Sequence, residues 1–281
     1  MARIVLGNRE GLLAIRHGRN VLELLTEEWP DLHLTLRTQA GTGGLDSDPL
    51  LEALRRGAVG IAAVQLDALA PTLPEDVRLA AVLRRADPRS GLAAKGRAGF
   101  AALPPRARVV VGSQRDAAFL SASHPDLTVQ IEAASPDALL AQLSAGADAV
   151  IVSAAAAATL DLRSAVDVVL DETAFTPPPG QGALGLLVRA DDDLAFETAY
   201  SLQHRPSYDR VRAERAFAAA LPGRQVGAVA GVTEDGELTL LGAVAVGPTI
   251  LQASLSGEAR EAEVLARELA QDVAEQLAAL T

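Results

Sequence analysis

The sequence predicts an α/β protein with two doubly wound units, followed by a C-terminal α+β domain with an antiparallel sheet. Strand patterns alternate with helical patterns twice along residues 1–181, which indicates mainly parallel sheets with helices on both faces. Near the C-terminus, two strand patterns are joined by Glu234-Asp235-Gly236, a hairpin signal, and a long amphipathic helix follows. We expect three domains, comprising residues 1–83 plus 182–199, residues 84–181 and residues 200–281.

The first unit begins with a short apolar strand and a helix that ends at Trp29, because Pro30 cannot continue a helix. Ile15, Leu22, Leu25 and Trp29 share one face of this helix. Pro49 fits the first turn of a second helix, and the glycine-rich residues 41–44 before it predict a flexible loop. Strands are predicted at residues 3–6, 33–37 and 59–64.

The second unit repeats this order. Ser135 is a typical N-cap residue, and Gly146 marks the end of the helix that begins there. Another helix is predicted at 114–120, and strands are predicted at 108–111, 127–131, 149–153 and 166–170. Residues 176–182 contain three prolines and resemble a stiff linker, after which residues 183–189 form a strand pattern.

The C-terminal region changes pattern from alternating elements to successive strands. Helices are predicted at 192–203 and 208–221, and strands at 227–232, 237–246 and 250–255. The last predicted helix has one apolar face, which is formed by Ala262, Leu265, Leu269, Val273 and Leu277. This order indicates an antiparallel sheet with helices on one face.

Composition excludes several classes of site. The chain has 281 residues and no cysteine, which removes disulfides, cysteine nucleophiles and thiolate metal ligands. Its four histidines are scattered, so no metal site is expected. A net charge of −11 argues against nucleic acid or an anionic membrane as a partner. No apolar run of about 18 residues and no signal-peptide pattern occur, which predicts a cytoplasmic protein.

The stretch from Glu214 to Ala230 runs from a helix into a strand. Gly223 fits the position just after a helix, where glycine adopts a positive φ at little cost. Residues 222–226 should therefore form an exposed elbow between two packed elements, and such loops often carry function.

Four segments carry a resemblance to a known family. They are Val5-Leu6-Gly7-Asn8-Arg9, Ala80-Ala81-Val82-Leu83-Arg84-Arg85-Ala86-Asp87-Pro88-Arg89, Pro179-Gly180-Gln181-Gly182-Ala183-Leu184-Gly185 and Glu214-Arg215-Ala216-Phe217. In this order they resemble porphobilinogen deaminase (hydroxymethylbilane synthase), and the match covers nearly the whole chain.

The resemblance implies a cleft between the two α/β domains that holds a dipyrromethane cofactor and the growing pyrrole chain. In the family, a cysteine on a loop of the C-terminal domain anchors that cofactor. The matching residue here is Arg224, which has no sulfur and cannot form the thioether. We therefore expect no covalently attached cofactor.

The resemblance also implies a catalytic aspartate that stabilises cationic pyrrole intermediates. The matching residue is Ala68, and the lysine before it is replaced by Asp67. Asp67 is a weak substitute candidate, because adjacent side chains of an extended segment point to opposite faces. The alternative for Asp67 is a solvated loop carboxylate.

Cationic residues of the family bind the acetate and propionate groups of the pyrroles. Of the cofactor-binding segment, Ser113 and Arg115 are retained, whereas the next arginine is replaced by Asp116. The family's arginines are also absent from residues 132–139. The remaining candidate ligand-binding residues are Arg9, Arg85, Arg89, Gln181 and Gly182. For each arginine the alternative is a salt bridge, and for Gln181 and Gly182 it is a role in shaping the backbone.

Three hypotheses follow. The first is a pseudoenzyme that lacks the covalent cofactor and binds a small carboxylate-bearing ligand or a protein partner. The second is an active hydroxymethylbilane synthase with a noncovalent primer and Asp67. The third is a cytosolic two-lobed small-anion binding protein, because two doubly wound lobes around a cleft also describe periplasmic-binding-protein-like folds.

Overall fold

The computed structural model describes residues 2–40 and 48–279. The chain packs into two compact units, one formed by Met1–Arg85 with Ala183–Tyr208 and the other by Ala86–Gly182 with Asp209–Thr281. The division into three domains stays a prediction. The loop expected at residues 41–44 lies outside the described residues.

The described residues form thirteen strands and eight α-helices. The strands are β1 (Arg3–Arg9), β2 (His33–Gln39), β3 (Ile61–Gln65), β4 (Val77–Val82), β5 (Ser90–Ala93), β6 (Arg108–Val111), β7 (Thr128–Ile131), β8 (Ala149–Ser153), β9 (Val168–Val169), β10 (Leu184–Arg189), β11 (Gln225–Val232), β12 (Glu237–Val246) and β13 (Thr249–Glu258). The helices are α1 (Leu12–Glu28), α2 (Pro49–Arg55), α3 (Gln114–Ser123), α4 (Pro136–Ala141), α5 (Ala154–Thr159), α6 (Asp193–Tyr200), α7 (Arg205–Ala219) and α8 (Ala262–Ala279).

The first unit contains a five-stranded sheet in the order β2-β1-β3-β10-β4. β1 pairs in parallel with β2 and β3, whereas β10 runs antiparallel to β3 and β4. The sheet is therefore mixed, although the strand-helix alternation predicted a mainly parallel one. The difference arises because β10, which comes from a distant part of the sequence, inserts between β3 and β4 and runs antiparallel to both strands. β4 itself was not predicted.

Helices cover both faces of this first sheet, as predicted. Leu6 of β1 packs in one apolar cluster with Val21 and Leu25 of α1. At the neighbouring residue, Gly7, a Cβ atom would lie 2.7 Å from the side chain of Leu50 in α2. Since adjacent residues of a strand point to opposite faces, α1 and α2 lie on opposite sides of the sheet.

The second unit contains a five-stranded sheet in the order β7-β6-β8-β5-β9. β6 pairs in parallel with β7 and β8, and β5 is antiparallel to β8 and β9. The predicted strands at 108–111 and 149–153 are confirmed without change. β5 and α5 were not predicted, because a short Ser-Gly-Leu-Ala strand and a run of alanines carry no apolar periodicity.

The second unit also contains an antiparallel sheet in the order β11-β12-β13, as the C-terminal pattern predicted. The hairpin between β11 and β12 has Gly236 at a φ of 81°. α8 packs on this sheet through the predicted face, since Ala262, Leu265, Leu269, Val273 and Leu277 are all buried. Phe217 of α7 lies directly against the position that a Cβ of Gly242 would occupy.

The proline-rich residues 176–182 do not form an exposed linker. Thr176 is 1% exposed and Gln181 is 5% exposed. The N–H group of Ala228 in β11 donates a hydrogen bond to the carbonyl oxygen of Pro177 at 2.9 Å. The segment is therefore packed beside the antiparallel sheet, because its carbonyl groups find partners there.

None of the helices in the described ranges is long and apolar enough to cross a membrane.

Candidate functional site

Arg9, the last residue of β1, forms an ion pair within the first unit. Its Nε atom donates to the carboxylate of Asp48 at 2.9 Å, and its Nη2 atom contacts the same oxygen. Asp48 is 2% exposed and also caps α2 by accepting a 2.9 Å hydrogen bond from the N–H of Leu50. The charge of Arg9 is therefore already balanced by a buried carboxylate.

A cavity of about 30 Å³ lies beside Arg9 and is also lined by His17 of α1 and Gln65 of β3. The Nδ1 atom of His17 is buried and has no hydrogen-bond partner in the described residues. Burial lowers the pKa of His17 below its usual value of 6.5. The cavity therefore presents a neutral imidazole, an amide and a guanidinium to a space that fits about one water molecule.

Asp67 and Ala68 lie in a short 3-10 helix, Leu66–Ala68, directly after β3. The expected extended conformation of this segment is therefore wrong, because the chain turns as soon as the strand ends. In a 3-10 helix adjacent side chains are separated by about 120° rather than pointing to opposite faces. Asp67 is half-buried and Ala68 is exposed, so both lie near the surface of the first unit.

Arg85 ends the first segment of this unit. Its backbone N–H donates a 2.9 Å hydrogen bond to the hydroxyl oxygen of Ser207 near the start of α7. The backbone of Arg85 therefore has a structural partner, while ligand binding by its side chain stays a prediction.

In the second unit, the structure brings together Arg89, Gln181 and Gly182. Arg89 forms a two-pronged ion pair with Asp87, with its Nε at 2.9 Å and its Nη2 at 2.7 Å from the two carboxylate oxygens. This pairing holds the pKa of Asp87 below its usual value, although partial burial opposes the effect. The Gln181 amide donates to the carbonyl oxygen of Pro88 at 2.6 Å.

Gly182 lies so close to the Asp87 segment that no side chain fits. A Cβ atom on Gly182 would be 2.8 Å from the carbonyl oxygen of Asp87, and its φ is 75°. The N–H of Ala86 also donates to the carbonyl of Gly182 at 3.0 Å. These contacts support the interpretation of Gln181 and Gly182 as residues that shape the backbone.

Glu214 fixes the same loop from the other side. Its side chain is fully buried in α7, and one carboxylate oxygen accepts from the N–H of Gly180 at 2.8 Å. The other oxygen accepts from the N–H of Ala230 in β11 at 2.8 Å. Glu214 therefore joins the loop of Gln181 to the antiparallel sheet. Neighbouring Arg215 is also buried, which lowers its pKa to about 10 and leaves it protonated at neutral pH.

Ser113 and Arg115 lie at the start of α3. The Ser113 hydroxyl caps the helix, since it accepts from the N–H of Asp116 at 3.0 Å and donates to the Asp116 carboxylate at 2.8 Å. Arg115 is 8% exposed, and its Nη1 atom donates to the same carboxylate at 2.8 Å. Both residues thus interact with Asp116.

The Arg115 guanidinium lies inside the core of the second unit. It lies 3.8 Å from the ring centre of Phe119, and its Nε donates to the carbonyl of Val226 at 3.3 Å. Its Nη2 atom is buried without a partner in the described residues, next to Gly227. Burial lowers the pKa of Arg115, while Asp116 opposes that shift.

Arg224 lies in the exposed turn between α7 and β11. The elbow predicted at residues 222–226 is shorter than expected, because β11 already begins at Gln225 and Val226 is buried. Gly223 beside Arg224 has a φ of 74°. Within residues 2–40 and 48–279, the Arg224 side chain makes no hydrogen bond or ion pair. No group of three or more metal-ligating side chains is found in the same part of the chain.

The sequence interpretation did not assign roles to His17 or Glu214. Glu214 could have been identified from the sequence, because it is the one charged residue in a helical stripe that is otherwise apolar. The stripe consists of Val211, Glu214, Ala218 and Leu221. A carboxylate at a core position of a helix indicates buried hydrogen-bond donors nearby. His17 gave no such signal, since its burial depends on strands that are distant in sequence.

The predicted α/β architecture agrees with known structures. The crystal structure of the methionine binding protein MetQ aligns with a TM-score of 0.50 at 15% identity, covering 78% of this chain and 94% of that chain. This likeness concerns the fold alone and confirms the periplasmic-binding-protein-like class.

Comparison with known sequences identifies the same family as the four motifs. A family model described as "Porphobilinogen deaminase, dipyromethane cofactor binding domain" matches residues 4–197. The chain is 40% identical over 291 residues to the porphobilinogen deaminase of Thermus thermophilus, covering 98% of this chain and 97% of the relative. Identity to the Deinococcus radiodurans porphobilinogen deaminase is 34% over 302 residues, with 99% and 97% coverage. This protein belongs to the porphobilinogen deaminase family.

Proposed function

We propose that this family member does not polymerise porphobilinogen, because it cannot hold dipyrromethane covalently. The observation that supports this proposal most directly is Arg224, which stands at the position of the family's cofactor-attaching cysteine in a chain that contains no cysteine. A protonated guanidinium is not a nucleophile and supplies no sulfur for a thioether. The residues present therefore do not fit a covalently attached cofactor.

The catalytic position gives independent support. Ala68 carries no ionisable group where the family places its aspartate. Without a carboxylate at that position, the positive charge that develops on the pyrrole intermediates has no matched counter-charge.

The state of the arginines also supports the proposal. Arg9, Arg89 and Arg115 are paired with Asp48, Asp87 and Asp116 of the chain itself. A polycarboxylate ligand must compete with these internal partners, and each charge-assisted contact contributes only about 1.5 to 3 kcal/mol. Binding of a small carboxylate-bearing ligand or of a protein partner stays a prediction, as does a cytoplasmic location.

The test is to incubate the purified protein with porphobilinogen and measure both uroporphyrin formation and intact mass. The Thermus thermophilus enzyme serves as positive control under the same conditions. We expect no product and no mass increase for this protein. Product at a rate similar to that of the control would overturn the proposal, and a mass increase matching dipyrromethane would refute the inference from Arg224.

A second candidate function is an active synthase with a noncovalent primer and Asp67 as the carboxylate. The 3-10 turn favours this candidate, since the side chains of Asp67 and Ala68 point about 120° apart there, instead of about 180° apart as in a strand. It predicts uroporphyrin without a stable mass increase, and loss of that product in the Asp67→Asn variant. Turnover that persists in Asp67→Asn would exclude this candidate.

A further inference from the structure

The second unit contains a cavity of about 270 Å³ beside α5 that opens to solvent, since Ala86, Ala158, Arg163 and Val169 of its lining are exposed. Its walls are mainly small apolar side chains from α5, from β9 and the residues just before it, and from Ala86. They include Ala154, Ala155, Ala158, Val166 and Val169. Two charged residues, Asp87 and Arg163, complete the lining.

The volume suits a small organic molecule. An apolar cavity of about 150 Å³ is sufficient to bind benzene in another protein, and one water occupies about 30 Å³ in the liquid. A space of about 270 Å³ therefore accommodates an aromatic ring or a branched chain with one polar substituent. The alanine face of α5 gives this space its width, because an alanine side chain ends at Cβ.

The two charged residues are not equivalent. Both carboxylate oxygens of Asp87 accept hydrogen bonds from Arg89, so this charge is already compensated. Arg163 is exposed, and within residues 2–40 and 48–279 its guanidinium makes no hydrogen bond and no ion pair shorter than 4 Å. Its charge is nevertheless close enough to Asp87 to add to the lowering of that carboxyl's pKa. The cavity therefore combines apolar walls with one cationic group that has donors to offer.

We propose that this cavity binds a small apolar monocarboxylate, with the apolar part against α5 and the carboxylate on Arg163. A planar guanidinium donates two parallel hydrogen bonds to a carboxylate, which fixes the orientation of such a ligand. The inference goes beyond the proposed loss of pyrrole polymerisation, since it uses neither Ala68 nor Arg224. It applies equally to an active or an inactive family member.

Isothermal titration of the full chain with sodium benzoate tests the site, and benzamide serves as an uncharged probe of the same shape. We expect saturable binding of one benzoate per chain. The Arg163→Gln variant should bind benzoate about 10- to 100-fold more weakly, because it loses a charge-assisted interaction. Its affinity for benzamide should change by less than about twofold.

Ala158→Leu provides a second, independent test. Ala158 lines the cavity at an exposed helical position, so leucine fills space without disturbing the core. Both probes should bind at least about 10-fold more weakly to this variant, while thermal unfolding shows that it remains folded. Arg267→Gln, which removes an exposed arginine from α8, is the matched control and should leave both affinities unchanged.

Two results would overturn the proposal. One is the absence of saturable benzoate binding to the unmodified protein. The other is binding that Arg163→Gln and Ala158→Leu leave unchanged, which would place the probe elsewhere. Neither result depends on whether the protein converts porphobilinogen. Failure of this proposal can therefore be distinguished from failure of the proposed function.

Discussion

Replacing Glu214 by glutamine keeps the size of a buried side chain but removes the charge that two backbone amides share. The carboxylate oxygens each accept one N–H group at 2.8 Å, from Gly180 and from Ala230. Glutamine has one oxygen, so it retains one of these bonds and turns its NH₂ group toward the second donor. The variant therefore isolates the hydrogen-bonding role of the carboxylate from its packing.

The magnitude follows from the two bonds. The N–H that loses its acceptor stays buried, which costs about 1 to 3 kcal/mol, and the retained bond loses its charge assistance, which costs about 1 kcal/mol more. We expect Glu214→Gln to lower the free energy of unfolding by about 2 to 4 kcal/mol. That is a large part of the roughly 5 to 15 kcal/mol typical of a folded protein.

Urea denaturation measures this loss, and Glu268→Gln on the exposed face of α8 is the control. The control should change the free energy of unfolding by less than about 0.5 kcal/mol. Hydrogen exchange gives a local measurement, because the amides of Gly180 and Ala230 should exchange faster in Glu214→Gln. A loss below about 1 kcal/mol with unchanged exchange at both amides would refute the reasoning.

Three further predictions concern glycine contacts and pH. Gly182→Ala should lower the free energy of unfolding by at least about 2 kcal/mol more than Gly223→Ala, since both have φ near 75° but only the first meets a backbone oxygen at 2.8 Å. Equal losses in urea denaturation would contradict this explanation. Gly242→Ala should cost about 1 to 3 kcal/mol by overpacking against an aromatic ring, whereas Gly231→Ala, which meets nothing within 4 Å, should be neutral or slightly stabilising; thermal unfolding of the pair decides. Because burial lowers the pKa of His17 from 6.5, the unfolded chain binds more protons as the pH falls below that value, so stability decreases from about pH 7 to about pH 5. His17→Gln should flatten this dependence in denaturation measured across that range, and an unchanged slope would argue against a neutral buried imidazole.

The sequence predicted those elements whose own residues repeat with the period of a helix or strand. β12 and the buried face of α8 are of this kind, since alternation or helical spacing runs through each element. β5 has only four residues and depends on pairing with β8 and β9, which are distant in sequence. No local pattern specifies such a strand, because its stability comes from its neighbours.

The same distinction applies to the candidate site. Arg9 could be matched to a motif of the family, but its electrostatic partner could not be identified from the sequence. Asp48 is 39 residues from Arg9, and only folding brings their charges together. Asp87 and Arg89 are only two positions apart, so their ion pair could have been predicted from the local sequence.

The interior position of Arg115 has a consequence for the order in which the chain folds during synthesis. The Nε atom of Arg115 donates a hydrogen bond to the carbonyl oxygen of Val226, which is synthesised 111 residues later. The apolar cluster around Phe119 likewise includes Ala243 and Ala245 of β12. A ribosome that has made residues 86–182 has therefore produced a sheet whose inner cation still lacks its covering strand. The contact of Arg115 with Val226, and the packing of β12 on the second α/β sheet, can therefore form only after the C-terminal strands have been synthesised.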